Sequence, residues 1–254
     1  MYDSDIKEFL DEKADEYNNP DFIETDPIVV PHQFTLKEDI EIAGFLTASI
    51  AWGKRETIIK NAFTLMELMG YAPYDFVMNH QAHHLEKLDH FVHRTFNATD
   101  VQFFVRAIRH IYSHKGGFES VIADSASETS VIPALSSFYT VFFSLPHPAR
   151  TRKHVSNPEK GSSGKKMNMF LRWMVRNDTR GVDFGLWKAV SPSVLSCPLD
   201  VHTGNVARKL GLLTRKQNDI KAVCELDSAL RAMDCHDPVR YDYALFGLGI
   251  YEHF

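Results

Sequence analysis

At 254 residues with 44% hydrophobic side chains, the chain can bury one large core or two small lobes that share an interface. The net charge of −5 speaks by itself against a nucleic-acid partner, and no uninterrupted run of about 18 apolar residues predicts a membrane span. The three cysteines, Cys197, Cys224 and Cys235, form no CxxC pattern; that speaks against a disulfide framework and a four-cysteine zinc or iron–sulfur site, and a reducing cytoplasm is the expected setting.

Asp3–Tyr17 reads as an acidic, amphipathic first helix without the basic start and apolar run of a secretion signal. Asn18–Phe34, with Pro20, Pro27 and Pro31, reads as an extended connector. Thr35-Leu36-Lys37-Glu38 has the capping-box pattern and opens a helix carrying Ile40, Ala43, Leu46 and Ile50. Gly53 interrupts it, and a second helix with Ile58, Ala62, Leu65 and Met66 stops at Gly70. Pro73–Asn79 is a short helix. Asn97 or Thr99 caps the run Val101, Phe104, Val105, Ile108 and Ile111, which Gly116-Gly117 ends. Ser130–Leu145 is an apolar helix, Pro146–Gly164 a loop, and Met167–Val175 a helix. Further helices are expected over Asp183–Val190, Asp200–Leu210, Asn218–Met233 and Pro238–Leu248. There is no sustained period-2 alternation and no repeat. The predicted class is all-α, with two helical lobes, residues 1–148 and 149–254, flanking a cleft; the terminal helices can cross back.

Charge is unevenly placed. Met1–Glu41 holds 13 Asp/Glu against 3 Lys/Arg, whereas Arg150–Arg180 holds 9 Lys/Arg against 2 Asp/Glu. A local basic zone of this kind can bind a polyanion even on an acidic chain, or can be a solvated face. The segment with the most chemical content is Cys197-Pro198-Leu199-Asp200-Val201-His202-Thr203. The proline holds the approach extended, and Asp200 is placed to cap the helix that follows. Taken alone it is an N-cap and nothing more.

Pro198-Leu199-Asp200-Val201-His202, followed by Val206-Ala207-Arg208-Lys209-Leu210-Gly211, resembles the aspartate segment of the helix-hairpin-helix (HhH-GPD) DNA glycosylases. The resemblance implies that Asp200 stands at the mouth of a base pocket. Upstream, Gly161-Ser162-Ser163-Gly164-Lys165-Lys166-Met167-Asn168 sits where that superfamily has a hairpin, a nucleophilic lysine and a helix. Lys165 precedes Asn168 by three, as in relatives of endonuclease III; Lys166 is the alternative in a Gly-x-Lys register. The spacing of 35 residues between Lys165 and Asp200 is similar to that of the archaeal 8-oxoguanine glycosylases. Ala51-Trp52-Gly53-Lys54, between two helices, looks like the turn that inserts a side chain into the duplex. Two features depart from the pattern: the Leu-Pro-Gly-Val-Gly hairpin is replaced by Gly-Ser-Ser-Gly, and the iron–sulfur cysteines are missing. The chain as a whole is also similar to a bacterial family of unknown function, carried by strings such as Tyr241-Asp242-Tyr243-Ala244-Leu245-Phe246-Gly247.

The resemblance implies a cytoplasmic, monomeric DNA-repair enzyme without cofactor or metal. It would excise a damaged base from double-stranded DNA, with or without strand cleavage through a Schiff base. The amine would attack the sugar once unprotonated, and the carboxylate would stabilise the developing oxocarbenium charge. Trp52, Lys54, Arg152, Lys153, Lys160, Arg172, His202, Thr203, Asn205 and Arg208 are the expected nucleic-acid contacts. One rival reading is a non-catalytic nucleic-acid-binding or structural helical protein. Another is a histidine–metal hydrolase, since His80, His83, His84, His90 and His93 cluster and His80 and His84 share the i, i+4 spacing of one helical face.

Overall fold

The computed structural model describes residues 4–254. Asp3, expected to open the first helix, lies outside the described residues. The structure is mostly helical, with thirteen α-helices and one small hairpin among those residues. In chain order these are α1 (Ser4–Tyr17), α2 (Asp21–Thr25), α3 (Lys37–Ser49), α4 (Arg55–Leu68), α5 (Pro73–Asn79) and α6 (Ala82–Glu86). The hairpin β1 (Val92–His93) and β2 (Phe96–Asn97) leads into α7 (Ala98–His114), α8 (Phe118–Ala123) and α9 (Ile132–Phe142). The last third holds α10 (Lys165–Val175), α11 (Val201–Lys209), α12 (Ile220–Met233) and α13 (Tyr241–Tyr251).

Two apolar clusters organise these helices. The larger is centred on α3, whose Phe45 ring meets Phe104, Phe118, Phe138, Phe142 and Phe170 at centroid distances of 5.0–5.7 Å. Rings at such separations prefer edge and tilted contacts over a face-to-face sandwich, and most of these are tilted or T-shaped. Helix α10 lies against α3 and buries Met167, Phe170, Leu171 and Trp173 in this cluster. The smaller cluster joins Leu10 and Ala14 of α1 to Val206 of α11, Leu226 of α12 and Leu248 of α13.

Four local expectations are corrected. The connector 18–34 is not extended: Phe22 on α2 and Ile28 on a following 3-10 turn are drawn into the larger cluster, and the Asp26 side chain caps that turn at Ile28 N–H. The Thr35 capping box does not form; Leu36 occupies the N-cap and no side chain caps α3. Residues 183–190 form no helix. Asp183 turns inward to Arg172 and Arg176, and the Phe184 and Trp187 amides donate to the Trp173 and Met174 carbonyls at the end of α10. This stretch is an irregular strap because its polar groups are satisfied by tertiary partners rather than by its own turns. Finally, residues 92–97 pair as a short hairpin where no strand is expected.

Candidate active site

Both ends of the predicted pair are helix starts. Gly164, at a left-handed φ of +67°, precedes α10, so Lys165 and Lys166 stand on its first turn. Asp200 is the N-cap of α11, and the Thr203 amide donates to Asp200 Oδ1 at 2.9 Å. The other carboxylate oxygen, Oδ2, lies 3.2 Å from Lys165 Nζ. The pair is half-sheltered, with side-chain exposures of 36% for Lys165 and 13% for Asp200. It lines a cleft of about 570 Å³ whose apolar lining includes Phe22, Ile58, Phe246 and Ile250, with Phe22 and Phe246 in edge contact at 6.1 Å.

Lys166 faces the same cleft but is tied down. Its ammonium donates to the Ser49 and His154 carbonyls, each at 2.8 Å, and sits 4.7 Å from the centroid of the Trp52 ring. Burial, with the charge of Lys165 beside it, pulls its pKa down to about 8. The folded value is thus below that of a free lysine, and the unfolded chain binds the extra proton between the two. Stability therefore rises with pH across that interval. Between about pH 8 and 10 the wild type should gain roughly 1–3 kcal/mol relative to Lys166→Met, measured by urea unfolding at a series of pH values. Equal pH slopes for the two proteins would contradict this.

Below the pair, the cleft floor is charged and buried. Arg172 is buried between Asp183 and Asp242 and lies under the Tyr243 ring at 4.3 Å. Burial pushes Asp242 up to about 6, against the pull of Arg172. It also raises Asp26, which lines the same cleft.

The expected nucleic-acid residues divide. Trp52 and His202 line the cleft, and Lys54 and Asn205 are exposed. Trp52 is held in place: His93 bonds its carbonyl at 3.1 Å, and its ring stacks on His154 at 5.7 Å. Thr203 is fully buried and Arg172 nearly so, so neither side chain is presented to a macromolecule. Their burial follows from α11 and α10 packing those faces inward. Arg208, also expected at the nucleic acid, donates to the Arg215 carbonyl and to Asn218 instead. Arg152 lies on His147 beside a shallow second pocket, Lys153 is exposed away from the cleft lining, and Lys160 stands over Tyr139. Of the basic residues from 150 to 176, Lys165, Lys166 and Arg172 line the cleft. No residue of the acidic α1 does. His80 and His84 do not share a helix. His80 caps α5, with its ring on the Val77 carbonyl, while His84 belongs to α6 and accepts the Gln81 amide.

Sequence reasoning passed over Asp26, Arg55, Asp242 and Phe246. Asp26 sits in a proline-rich connector, and the other three lie on helices whose inward faces no local pattern distinguishes from core.

Fold and site together define a mostly helical protein with a lysine–carboxylate pair at the mouth of a partly apolar cleft. The chain belongs to the family described as "Protein of unknown function (DUF2400)", which matches residues 26–251. No curated protein and no solved structure matches the chain. No helix among the described residues is long and apolar enough to cross a membrane.

Proposed function

We propose that this protein is a DNA glycosylase of the HhH-GPD type, acting in the cytoplasm on double-stranded DNA that carries a damaged base. One observation carries the reading: two residues 35 apart in sequence, each at the start of a helix, meet at 3.2 Å over a cleft large enough for a nucleobase. An exposed ion pair stabilises a fold little, so stability alone gives weak reason for this one.

In the proposed reaction the everted nucleotide lies with its base in the cleft and its sugar C1′ at Lys165. The Asp200 carboxylate faces the positive charge that builds on the sugar. The neutral Lys165 amine attacks C1′ as the C1′–base bond breaks. The proton lost by nitrogen passes through Asp200 to the departing base. The C1′–O4′ bond then breaks, O4′ taking the second nitrogen proton, to give a Schiff base; water hydrolyses it, or loss of a C2′ proton expels the 3′-phosphate and with it the 3′ strand. Lys166, with its donors occupied by two carbonyls, ties the α3–α4 turn to the amine-bearing helix.

The test is incubation with a panel of lesion-bearing duplexes in the presence of borohydride, which reduces a Schiff base to a stable adduct. A trapped protein–DNA species supports the reading. Duplex binding should also weaken with salt. The cations on the cleft and its rim that are not tied down inside the fold, Lys54, Arg55 and Lys165, are few, so a log–log slope of about −2 to −4 is expected. Salt-insensitive or absent binding to every duplex would favour a structural role.

A further inference from the structure

Three consecutive residues touch both of the segments that bring Lys165 and Asp200 together. Asn218 Nδ2 donates to the Asp200 carbonyl at 2.8 Å, and the Ile220 amide donates to the Gly161 carbonyl at 3.2 Å. Between them, Asp219 pairs antiparallel with Ser162, in the loop that leads to Lys165. Asn218 is itself held. Arg208 donates to Asn218 Oδ1 at 2.5 Å through one guanidinium nitrogen, and to the Arg215 carbonyl at 2.8 Å through Nε.

Gly204 makes room for this arrangement. A Cβ at that position would lie 2.8 Å from Asn218 Oδ1 and 2.9 Å from an Arg208 guanidinium nitrogen. Glycine is unfavourable in a helix interior, and α11 gives it no unusual backbone angle to adopt. Space for the amide and the guanidinium is what position 204 requires.

We propose that Asn218-Asp219-Ile220 is a clip that sets the separation of Lys165 and Asp200, with Asn218 as a positioning residue for the reaction and Arg208 and Gly204 as its supports. As a statement about the reaction it rests on the glycosylase reading above. The Asp200 carbonyl accepts from two donors, Gly204 N–H at 2.9 Å and Asn218 Nδ2. Both fix the peptide from which the carboxylate projects. With Oδ1 on the Thr203 amide, Oδ2 is left aimed at Lys165. Asp219 and Ile220 hold the lysine loop from the other side, so the two segments cannot drift apart independently. A displacement of about 1 Å at a reacting group can slow a reaction by about a hundredfold.

The experiment uses the full chain and two readouts. In Asn218→Ala, hydrogen exchange at the Thr203 and Gly204 amides should accelerate about tenfold, while α10 and α13 stay protected. Single-turnover trapping on a processed duplex should slow about 10- to 100-fold, with Kd changed by less than about twofold. Gly204→Ala, which keeps Asn218 but displaces it, should give the same pair of effects. Asn218→Asp keeps the shape without the donor and carries the test if the alanine variant does not fold. Unchanged exchange in these variants overturns the clip. Faster exchange with an unchanged trapping rate overturns its part in the reaction. If the wild type neither traps nor releases a base from any duplex, the glycosylase reading falls, and exchange alone decides the clip: a loss of protection confined to the start of α11 upholds it.

Discussion

Lys165→Gln should lower borohydride-trapped adduct by at least about a thousandfold while changing duplex Kd by less than about threefold. The amide has no nucleophilic lone pair, so no Schiff base forms. Removing one charge takes away one phosphate-range contact among several. Lys166→Gln should behave differently. Its nitrogen is occupied by the Ser49 and His154 carbonyls and by the Trp52 ring, so losing it loosens the turn and lowers stability but leaves trapping within about tenfold of wild type. If instead Lys166→Gln abolishes trapping and Lys165→Gln does not, the amine is Lys166 and its lowered pKa becomes part of the chemistry. If base release persists in both single variants and in the double variant, water is the nucleophile and Asp200 acts without a covalent step.

The second large effect is on stability. Arg172→Met should destabilise the protein by about 3–5 kcal/mol in urea unfolding at pH 8, because it leaves Asp242 buried without its cation and Asp183 with Arg176 alone. The deficit should shrink as the pH is lowered. Asp242 already has a raised pKa of about 6, and without Arg172 it rises further. The folded variant then takes up protons that the folded wild type does not, so acid favours the variant relative to the wild type. A deficit that grows toward pH 5 would show that the network is held by something other than these charges.

Much of the site could be read from sequence because it depends on local rules. A proline two residues before an aspartate, then a helical run, fixes an extended approach and an N-cap, and Asp200 has that conformation. Glycine before two lysines and an apolar 3.6-period marks a helix start, expected at Met167 and found two residues earlier, so that Lys165 stands on the first turn. The remainder depends on partners distant in sequence. Nothing near Asp183 says that its carboxylate will be claimed by Arg172 and Arg176, and that claim is what keeps 183–190 out of a helix. Arg172, Thr203 and Arg208 are residue types that commonly meet phosphate, yet here each is turned inward by the packing of its own helix. Asn218 left one faint local sign, a glycine at the fourth position of α11, where helix propensity alone would not put one.

Helix α1 packs along α13, and α13 supplies Asp242, Phe246 and Ile250 to the cleft. During synthesis, the first helix therefore waits for a partner made more than two hundred residues later. A nascent chain still lacking residues 241–251 already has Lys165, Asp200 and the larger phenylalanine cluster, but the α13 part of its cleft is absent and Leu10 and Ala14 lack their α13 partners. Assembly of the larger cluster can run ahead on the ribosome, while closure of the ring from first helix to last waits for residues 241–251. Contacts made that late act as a latch: they govern how slowly the finished protein opens more than how quickly it forms.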